Sequence, residues 1–154
     1  MAEFISNTIQ VHIAKKFEGE YRFLVLKRAD DEIIYPGIWQ VVTGTCEQDE
    51  RAIKTAVRET LEETGIKPIK FWTIPYVASF FDTRRDKVSF VPVFGAFAAD
   101  NSEVILSSEH SDYQWLNYED TLNKLLLPSH KEGTKFFLEY CLNNENNHFF
   151  EKKI

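Results

Sequence analysis

The most constraining feature of this 154-residue sequence is the stretch from Gly44 to Ile66, GTCEQDERAIKTAVRETLEETGI. Within it, apolar residues recur at every third or fourth position, which predicts one amphipathic helix from about Glu50 to Thr64. Gly65 is suited to end this helix because glycine readily adopts the left-handed C′ conformation, and Pro68 prevents continuation. The fold must therefore accommodate a long helix that carries many acidic residues.

Three glutamates, Glu59, Glu62 and Glu63, lie at the C-terminal end of the predicted helix. At about 100° per residue, they project from one side of it. Their mutual repulsion and the negative end of the helix dipole both disfavour this arrangement. Divalent cations that prefer oxygen ligands make it favourable, and Mg²⁺ bound in this way usually also takes substrate phosphates as ligands. A solvated acidic face is the alternative interpretation of the same residues.

The whole stretch resembles the Nudix box, G-x5-E-x7-R-E-U-x-E-E-x-G-U, in which U is a bulky aliphatic residue. The matching residues are Gly44, Glu50, Arg58, Glu59, Glu62, Glu63, Gly65 and Ile66. Thr60 departs from the pattern, since an aliphatic residue is usual there, but its methyl group still supports packing. The resemblance implies the α/β Nudix fold, a mixed β-sheet sandwiched between α-helices, and a hydrolase that uses a divalent metal ion.

Two phrases outside the box resemble the branch of this family that includes dihydroneopterin-triphosphate and dATP pyrophosphohydrolases. WQVVTG begins at Trp39 and precedes the box, and EHSDYQWL begins at Glu109. In that branch the glutamate of the second phrase supplies a metal ligand from outside the box, which implies that Glu109 does so here. His110 beside it is expected to be a structural neighbour or to support the ligands.

The resemblance implies a metal site for Mg²⁺, with Mn²⁺ as a substitute. Glu59 and Glu63 are expected to be the first ligands, and Glu62 and Glu109 the next. Gly44 has no side chain, so its backbone can approach the metal and its carbonyl can serve as a ligand. One carboxylate would take the proton from the attacking water. Glu62 and Glu109 both remain candidates for that role.

Arg58 is assigned to the same catalytic site, as a clamp rather than a group that acts on the substrate. It precedes Glu62 by four residues and is expected to hydrogen-bond the glutamates of the box, notably Glu50. By helical projection Glu50 points away from Glu59 and is expected to be structural.

Arg28, Trp39 and Gln40 are the candidate substrate-binding residues. Arg28 ends a predicted strand, where a solvated strand end and a phosphate contact are both compatible with the sequence. Trp39 either stacks on a base or pterin ring or packs on the sheet. The implied substrate is a (deoxy)nucleoside triphosphate or dihydroneopterin triphosphate, cleaved to pyrophosphate and the monophosphate. The alternatives are a dinucleoside polyphosphate such as Ap4A, then ADP-ribose or a nucleotide sugar, and an inactive nucleotide-binding sensor.

Composition and charge narrow the class of protein further. A net charge of −6 argues against nonspecific binding of nucleic acid. No apolar run approaches membrane-spanning length, and the first residues do not have the pattern of a signal peptide. The two cysteines, Cys46 and Cys141, are an unlikely disulfide framework, so we expect a reduced, cytoplasmic setting. The expected oligomeric state is a monomer or a homodimer.

We expect a single domain over residues 1–154, with a core at about 8–142 and a tail at 143–154 that either frays or docks on the body or on a second subunit. Strands are predicted at Thr8–Ala14, Tyr21–Arg28, Gly37–Thr43, Ile69–Phe81, Val88–Ala98 and Val104–Leu106, and later helices at Tyr118–Leu127 and Lys131–Asn143. His12 is expected to be a half-exposed polar residue. A basic turn contains Arg84, Arg85 and Lys87, and a solvated turn is favoured there over a phosphate or partner contact.

Overall fold

The structure, a computed structural model, describes residues 1–154 and is built around an eight-stranded sheet. The strands are β1 (Glu3–Ile5), β2 (Thr8–Phe17), β3 (Glu20–Arg28), β4 (Trp39–Gln40), β5 (Val42–Thr45), β6 (Lys70–Asp82), β7 (Lys87–Phe97) and β8 (His110–Leu116). The helices are α1 (Ala52–Thr64), α2 (Tyr118–Lys124) and α3 (Pro128–Phe136), followed by a π-helical segment (Phe137–Leu142) and a 3-10 turn (Asn147–Phe149).

The sheet is mixed because β7 runs parallel to both β1 and β2. All other pairings are antiparallel: β2 with β3 and β5, β3 with β4 and β8, and β6 with β7. The main path is β1-β7-β2-β3-β4, so β3 lies between β8 on one side and β2 and β4 on the other.

Alternation of side chains along the central strands gives the sheet two apolar faces. On one face, Val11 and Leu26 belong to the same buried cluster as Ala56 of α1. On the opposite face, Phe23 belongs to a second cluster with Phe137, which follows α3. Helices therefore cover both faces, and the predicted α/β architecture is confirmed.

The helix α1 begins two residues later than the predicted Glu50 and ends at Thr64, as the sequence indicates. Gly65 has φ of 70°, and its N–H donates to the carbonyl of Leu61 at 2.8 Å. A side chain at this position would strain the left-handed backbone, which explains why glycine ends the helix here.

The predicted strand at Val104–Leu106 is wrong. This extended segment passes the C-terminal end of α1, where the N–H of Ile105 donates to the carbonyl of Thr64 at 2.8 Å. Farther along, the N–H of Ser107 donates to the carbonyl of Glu63 at 3.4 Å. The segment therefore satisfies carbonyls that the end of a helix leaves free, instead of joining the sheet.

Two strands, β1 and β8, are absent from the sequence prediction. The first half of β8 is polar (HSDYQ), so it shows no apolar alternation. It pairs with β3 from Phe23 opposite Leu116 to Arg28 opposite His110, with an irregular register between Lys27 and Arg28. This pairing carries the start of β8 to the end of β3.

The C-terminal helices differ from the prediction around Pro128. The helix predicted at Tyr118–Leu127 already ends at Lys124, as α2, and Pro128 is the first residue of α3, three residues before the predicted start at Lys131. Proline is favoured at this position because the first helical N–H has no intrahelical partner.

None of the helices combines the length and the apolar composition needed to cross a membrane.

The C-terminal tail lies against the body of the same chain. The N–H of Thr73 in β6 donates to the carbonyl of Phe150 at 2.9 Å, and the N–H of Lys152 donates to the carbonyl of Phe71 at 2.7 Å. Of the two alternatives for the tail, fraying or docking, the structure has docking.

His12 is 2% exposed rather than half-exposed, because α3 covers this face of β2. Its Nε2 lies 2.7 Å from Nε2 of Gln10, and its Nδ1 lies 3.3 Å from Oγ1 of Thr134. Burial, and secondarily the neighbouring His130, holds the pKa of His12 well below its usual value. Burial also lowers the pKa of His130 to about 4. Both histidines are therefore neutral in the folded protein at pH 7.

These two histidines predict a loss of stability in mild acid. In the unfolded chain they bind protons below about pH 6.5, whereas in the folded chain His130 resists protonation until about pH 4 and the pKa of His12 also lies well below its usual value. The unfolded state therefore binds more protons in this window, and each histidine lowers the free energy of unfolding by roughly 1 kcal/mol per pH unit as the pH falls. Urea unfolding at pH 6.5 and pH 5 measures the loss.

A substitution isolates the contribution of His130. His130→Leu should make the fall in unfolding free energy between the two pH values smaller by roughly 1 kcal/mol. The exposed His148 supplies the control, since His148→Leu should leave the fall unchanged. An identical fall in wild type and His130→Leu would contradict the assignment.

Candidate active site

Arg58 lies at the centre of the acidic side of α1. Its Nε and Nη2 donate to the two carboxylate oxygens of Glu50 at 3.0 and 2.9 Å. Its Nη1 donates to Glu59 at 2.9 Å and to Glu62 at 3.1 Å, and its Nη2 also reaches the carbonyl of Thr45 at 3.2 Å. One guanidinium therefore holds three glutamates and the end of β5 together.

The clamp affects these carboxylates differently. The hydrogen bonds from Arg58, followed by one from the backbone N–H of Glu47, lower the pKa of Glu50 to about 2. At Glu59, burial raises the pKa and outweighs the opposing effect of Arg58. Glu50 is therefore ionised in its ion pair with Arg58. Burial disfavours the ionised form of Glu59, which a further positive charge would stabilise.

Glu63 is buried under the segment that passes the end of α1. Its Oε2 accepts from Oγ of Ser107 at 3.0 Å and lies 2.8 Å from Nδ1 of His110, in a contact too bent to be a well-formed hydrogen bond. Burial raises the pKa of Glu63, but His110 and Ser107 outweigh it, so the pKa lies below its usual value.

Glu109 immediately precedes β8, and the pairing of β8 with β3 brings the carboxylate of Glu109 close to α1. Burial raises the pKa of Glu109, and the negative charges of Glu63, Glu32 and Glu59 raise it further. A carboxylate from a second element thus faces the buried glutamates of α1.

Gly44 in β5 lies directly against Glu59. A Cβ at this position would overlap Cγ and Cδ of the glutamate, so no larger residue fits without displacing that side chain. Close approach of the strand backbone to the carboxylate explains the glycine.

Glu62 differs from Glu59 and Glu63 in exposure. Its side chain is 55% exposed, compared with 12% for Glu59 and 5% for Glu63. The three glutamates on one side of the helix therefore divide into two that face the sheet and one that faces solvent.

The three candidate substrate-binding residues lie in different surroundings. Arg28 donates to Glu32 at 3.2 Å and to the carbonyl of Ile34 at 2.6 Å, so it holds the loop that follows β3. Trp39 packs beside Leu125, with Nζ of Lys124 4.6 Å from the ring centroid.

Gln40 follows Trp39 in β4, so its side chain points to the opposite face of the sheet. It is 4% exposed, and its Nε2 lies 2.9 Å from Nε2 of His110. The structure therefore brings Gln40, but not Trp39, to the face that carries the carboxylates.

Comparison with known proteins points to the same family as the sequence motif. The family model of the NUDIX domain matches residues 7–138. Nucleoside triphosphatase NudI of Escherichia coli K12 is 30% identical over 113 residues, which cover 69% of this chain and 80% of NudI. The chain belongs to the Nudix family. It is a Nudix hydrolase, an enzyme that acts on phosphoric anhydride bonds.

Solved structures share the Nudix fold of this chain. A Listeria monocytogenes protein assigned to the NUDIX hydrolases is 28% identical, with a TM-score of 0.77, and the match covers 96% of this chain and 99% of that one. The dihydroneopterin triphosphate pyrophosphohydrolase of E. coli is 23% identical, with a TM-score of 0.68, and the match covers 84% and 92% of the two chains. The second likeness is one of fold.

The donor set of this Nudix site fits a hard divalent cation. Carboxylates are oxygen ligands that Mg²⁺ prefers, and the backbone of Gly44 lies directly against one of them, that of Glu59. No three acidic, histidine or cysteine side chains are already gathered into a metal centre. Arg58 instead occupies oxygens of Glu59 and Glu62.

Sequence reasoning missed the contacts that surround Glu63. The half-buried Ser107, which donates to Glu63, is absent from the candidate residues, and the contact between the buried side chains of Gln40 and His110 is not anticipated. The available signal was that Gln40 and His110 each belong to a phrase shared with one branch of the family. Nothing in their spacing indicated that they meet.

The fit of Gly44 against Glu59 gives a prediction for Gly44→Ala. The added methyl group should displace Glu59, lower the free energy of unfolding by about 1–3 kcal/mol and abolish most metal-dependent turnover. Thermal unfolding and product release measure the two effects. Thr45→Ala, on the same strand with an exposed side chain, should change neither appreciably. Wild-type turnover by Gly44→Ala would show that the close contact is dispensable.

Proposed function

We propose that this chain is a Mg²⁺-dependent pyrophosphohydrolase of (deoxy)nucleoside triphosphates or of dihydroneopterin triphosphate, releasing pyrophosphate and the monophosphate. The supporting observation is that Glu109, which immediately precedes β8, lies near Glu59 and Glu63 of α1: burial first, and then the charges of these carboxylates, raise the pKa of Glu109. Such crowding of negative charge is favourable when a divalent cation neutralises it. Mn²⁺ is the expected substitute.

The triphosphate class is supported by the likeness to NudI, whose name describes a nucleoside triphosphatase. It is also supported by the phrases WQVVTG and EHSDYQWL, which resemble the triphosphate branch of the family. In the structure the two phrases are in contact, since Gln40 of the first touches His110 of the second.

The proposed chemistry assigns separate tasks to the residues of the site. When bound, Mg²⁺ neutralises phosphate oxygens and makes a water molecule more acidic. Glu59, Glu63 and the carbonyl of Gly44 hold the metal. Arg58 keeps Glu59 in place through its 2.9 Å hydrogen bond.

We assign the general base to Glu109 rather than Glu62. The carboxylate of Glu62 accepts a hydrogen bond from Arg58 at 3.1 Å, so it is already engaged with a cation. Glu109 forms no ion pair with any arginine, lysine or histidine. A carboxylate with no cationic partner is better suited to accept a proton from the attacking water.

A product assay on the purified protein with Mg²⁺ tests the substrate class. The panel holds dihydroneopterin triphosphate, canonical and oxidised dNTPs, Ap4A and ADP-ribose. We expect pyrophosphate from one triphosphate much faster than turnover of the other compounds, and Glu63→Gln should abolish turnover while the protein stays folded. Turnover of Ap4A or ADP-ribose alone would overturn the substrate class. Silence across the panel, with Mg²⁺ bound, would contradict the proposal and favour the alternative of an inactive nucleotide-binding sensor.

Paired substitutions test the assignment of the base. Glu109→Gln should lower kcat by about 100-fold or more, within the range that general base catalysis contributes, and Glu62→Gln should lower it much less. Steady-state kinetics at saturating Mg²⁺ measures both. A larger loss in Glu62→Gln than in Glu109→Gln would transfer the role to Glu62.

A further inference from the structure

We infer that Gln40 and His110 are positioning residues for Glu63, an inference that rests on the proposed role of Glu63 as a metal ligand. The three side chains form a chain of contacts: Oε2 of Glu63 lies 2.8 Å from Nδ1 of His110, and Nε2 of His110 lies 2.9 Å from Nε2 of Gln40. All three are buried, with 4%, 6% and 4% of their surfaces exposed for Glu63, His110 and Gln40.

Three different elements supply this chain of contacts. Glu63 belongs to α1, His110 begins β8 and Gln40 ends β4. β3 holds the last two in place, since His110 pairs with Arg28 and Gln40 pairs with Leu26. The position of Glu63 is therefore coupled to the pairing of three strands and not only to its own helix.

The order of atoms determines which tautomer His110 adopts. The amide nitrogen of Gln40 is the atom nearest Nε2 of His110 and can only donate, so with this amide orientation a neutral His110 has Nε2 as its acceptor nitrogen. The ring hydrogen consequently resides on Nδ1, the atom that faces Glu63. Gln40 thus keeps the ring hydrogen of His110 on the nitrogen that lies 2.8 Å from the carboxylate, although the contact is too bent for a well-formed hydrogen bond.

Both contacts to Glu63 fall on the same oxygen. His110 and Ser107 approach Oε2, which fixes the plane of the carboxylate and the direction of Oε1. Groups that orient a metal ligand in this way commonly change metal affinity or activity by about 10–100-fold when they are removed. The role of Gln40 is therefore to act through His110, because its buried amide is directed at the ring and not at a substrate.

The chain contains a matched control for this inference. On the opposite face of the sheet, Nε2 of Gln10 lies 2.7 Å from Nε2 of His12, and both residues are 2% exposed. This pair has the same two residue types and similar burial, but its neighbours are Ser129 and Thr134 rather than a carboxylate. Loss of either glutamine therefore removes a similar contact, and only one of the two lies beside Glu63.

The experiment compares Gln40→Leu with Gln10→Leu at a temperature where both remain folded. The tautomer of His110 is read from ring ¹⁵N chemical shifts, the dissociation constant for Mn²⁺ from EPR of the free ion, and kcat and KM from product release. Gln40→Leu should reduce the Nδ1–H population of His110, weaken Mn²⁺ binding about tenfold or more and lower kcat, with little change in KM. Gln10→Leu should lower the melting temperature and leave all four quantities unchanged.

A conservative substitution distinguishes positioning from packing. Asn at position 110 can still direct an amide N–H towards Glu63, so His110→Asn should retain tighter Mn²⁺ binding than His110→Leu. In the His110→Leu background, Gln40→Leu should weaken Mn²⁺ binding no further, because the chain of contacts is already broken.

Three results would overturn the inference: an Nε2–H tautomer of His110 in the wild type, equal Mn²⁺ affinities of Gln40→Leu and the wild type, or additive effects of the two leucine substitutions. Failure of the proposed function would look different. No turnover of any triphosphate, with the tautomer and the Mn²⁺ effects as expected, would reject the substrate class and retain the positioning role.

Discussion

The repulsion among the carboxylates at the end of α1 is the constraint on which the rest of the site depends. The guanidinium of Arg58 offsets part of this repulsion by donating hydrogen bonds to Glu50, Glu59 and Glu62. Glu50 precedes α1, whereas Glu59 and Glu62 lie within it. The guanidinium therefore also ties the segment before α1 to the helix. Glu63 lies outside this clamp and contacts Ser107 and His110 from other elements instead. The position of Glu63 therefore depends on residues outside α1.

The two faces of the sheet use the same pair of residue types for different purposes. Gln10 and His12 lie under α3, where burial lowers the pKa of the histidine and no carboxylate is near, so the pair satisfies polar groups within a core. Gln40 and His110 lie under α1, where the ring meets Glu63. A buried histidine is thus a core residue or part of a site according to what its second nitrogen faces, and burial alone does not separate the two.

Local signals and non-local pairing explain which features the sequence could predict. The periodicity of α1, the glycine that ends it and the alternating residues of β2 and β3 are encoded within short windows, and the structure has them with small shifts at the ends. The strand β8 is not encoded in this way, because its residues become a strand only by pairing with β3. The predicted strand at Val104–Leu106 is wrong for the converse reason. An extended segment that hydrogen-bonds the carbonyls at the end of a helix has the same local sequence pattern as a short strand. The meeting of Gln40 with His110 spans 70 residues and depends on the register of two strands, which no local pattern specifies.

The balance of charge at the site limits how the proposed substrate can bind. The chain has a net charge of −6, and the two arginines among the candidate site residues are already engaged: Arg58 with three glutamates and Arg28 with Glu32 at 3.2 Å. A triphosphate that approached the carboxylates without a counterion would meet repulsion from both the site and the whole molecule. The positive charge that the substrate needs must therefore come with it or from metal held by the glutamates, so binding of the triphosphate and binding of the divalent cation should be thermodynamically coupled. At saturating metal this coupling is satisfied, so a loss of the correct placement of Glu63 should appear in metal affinity and kcat rather than in KM.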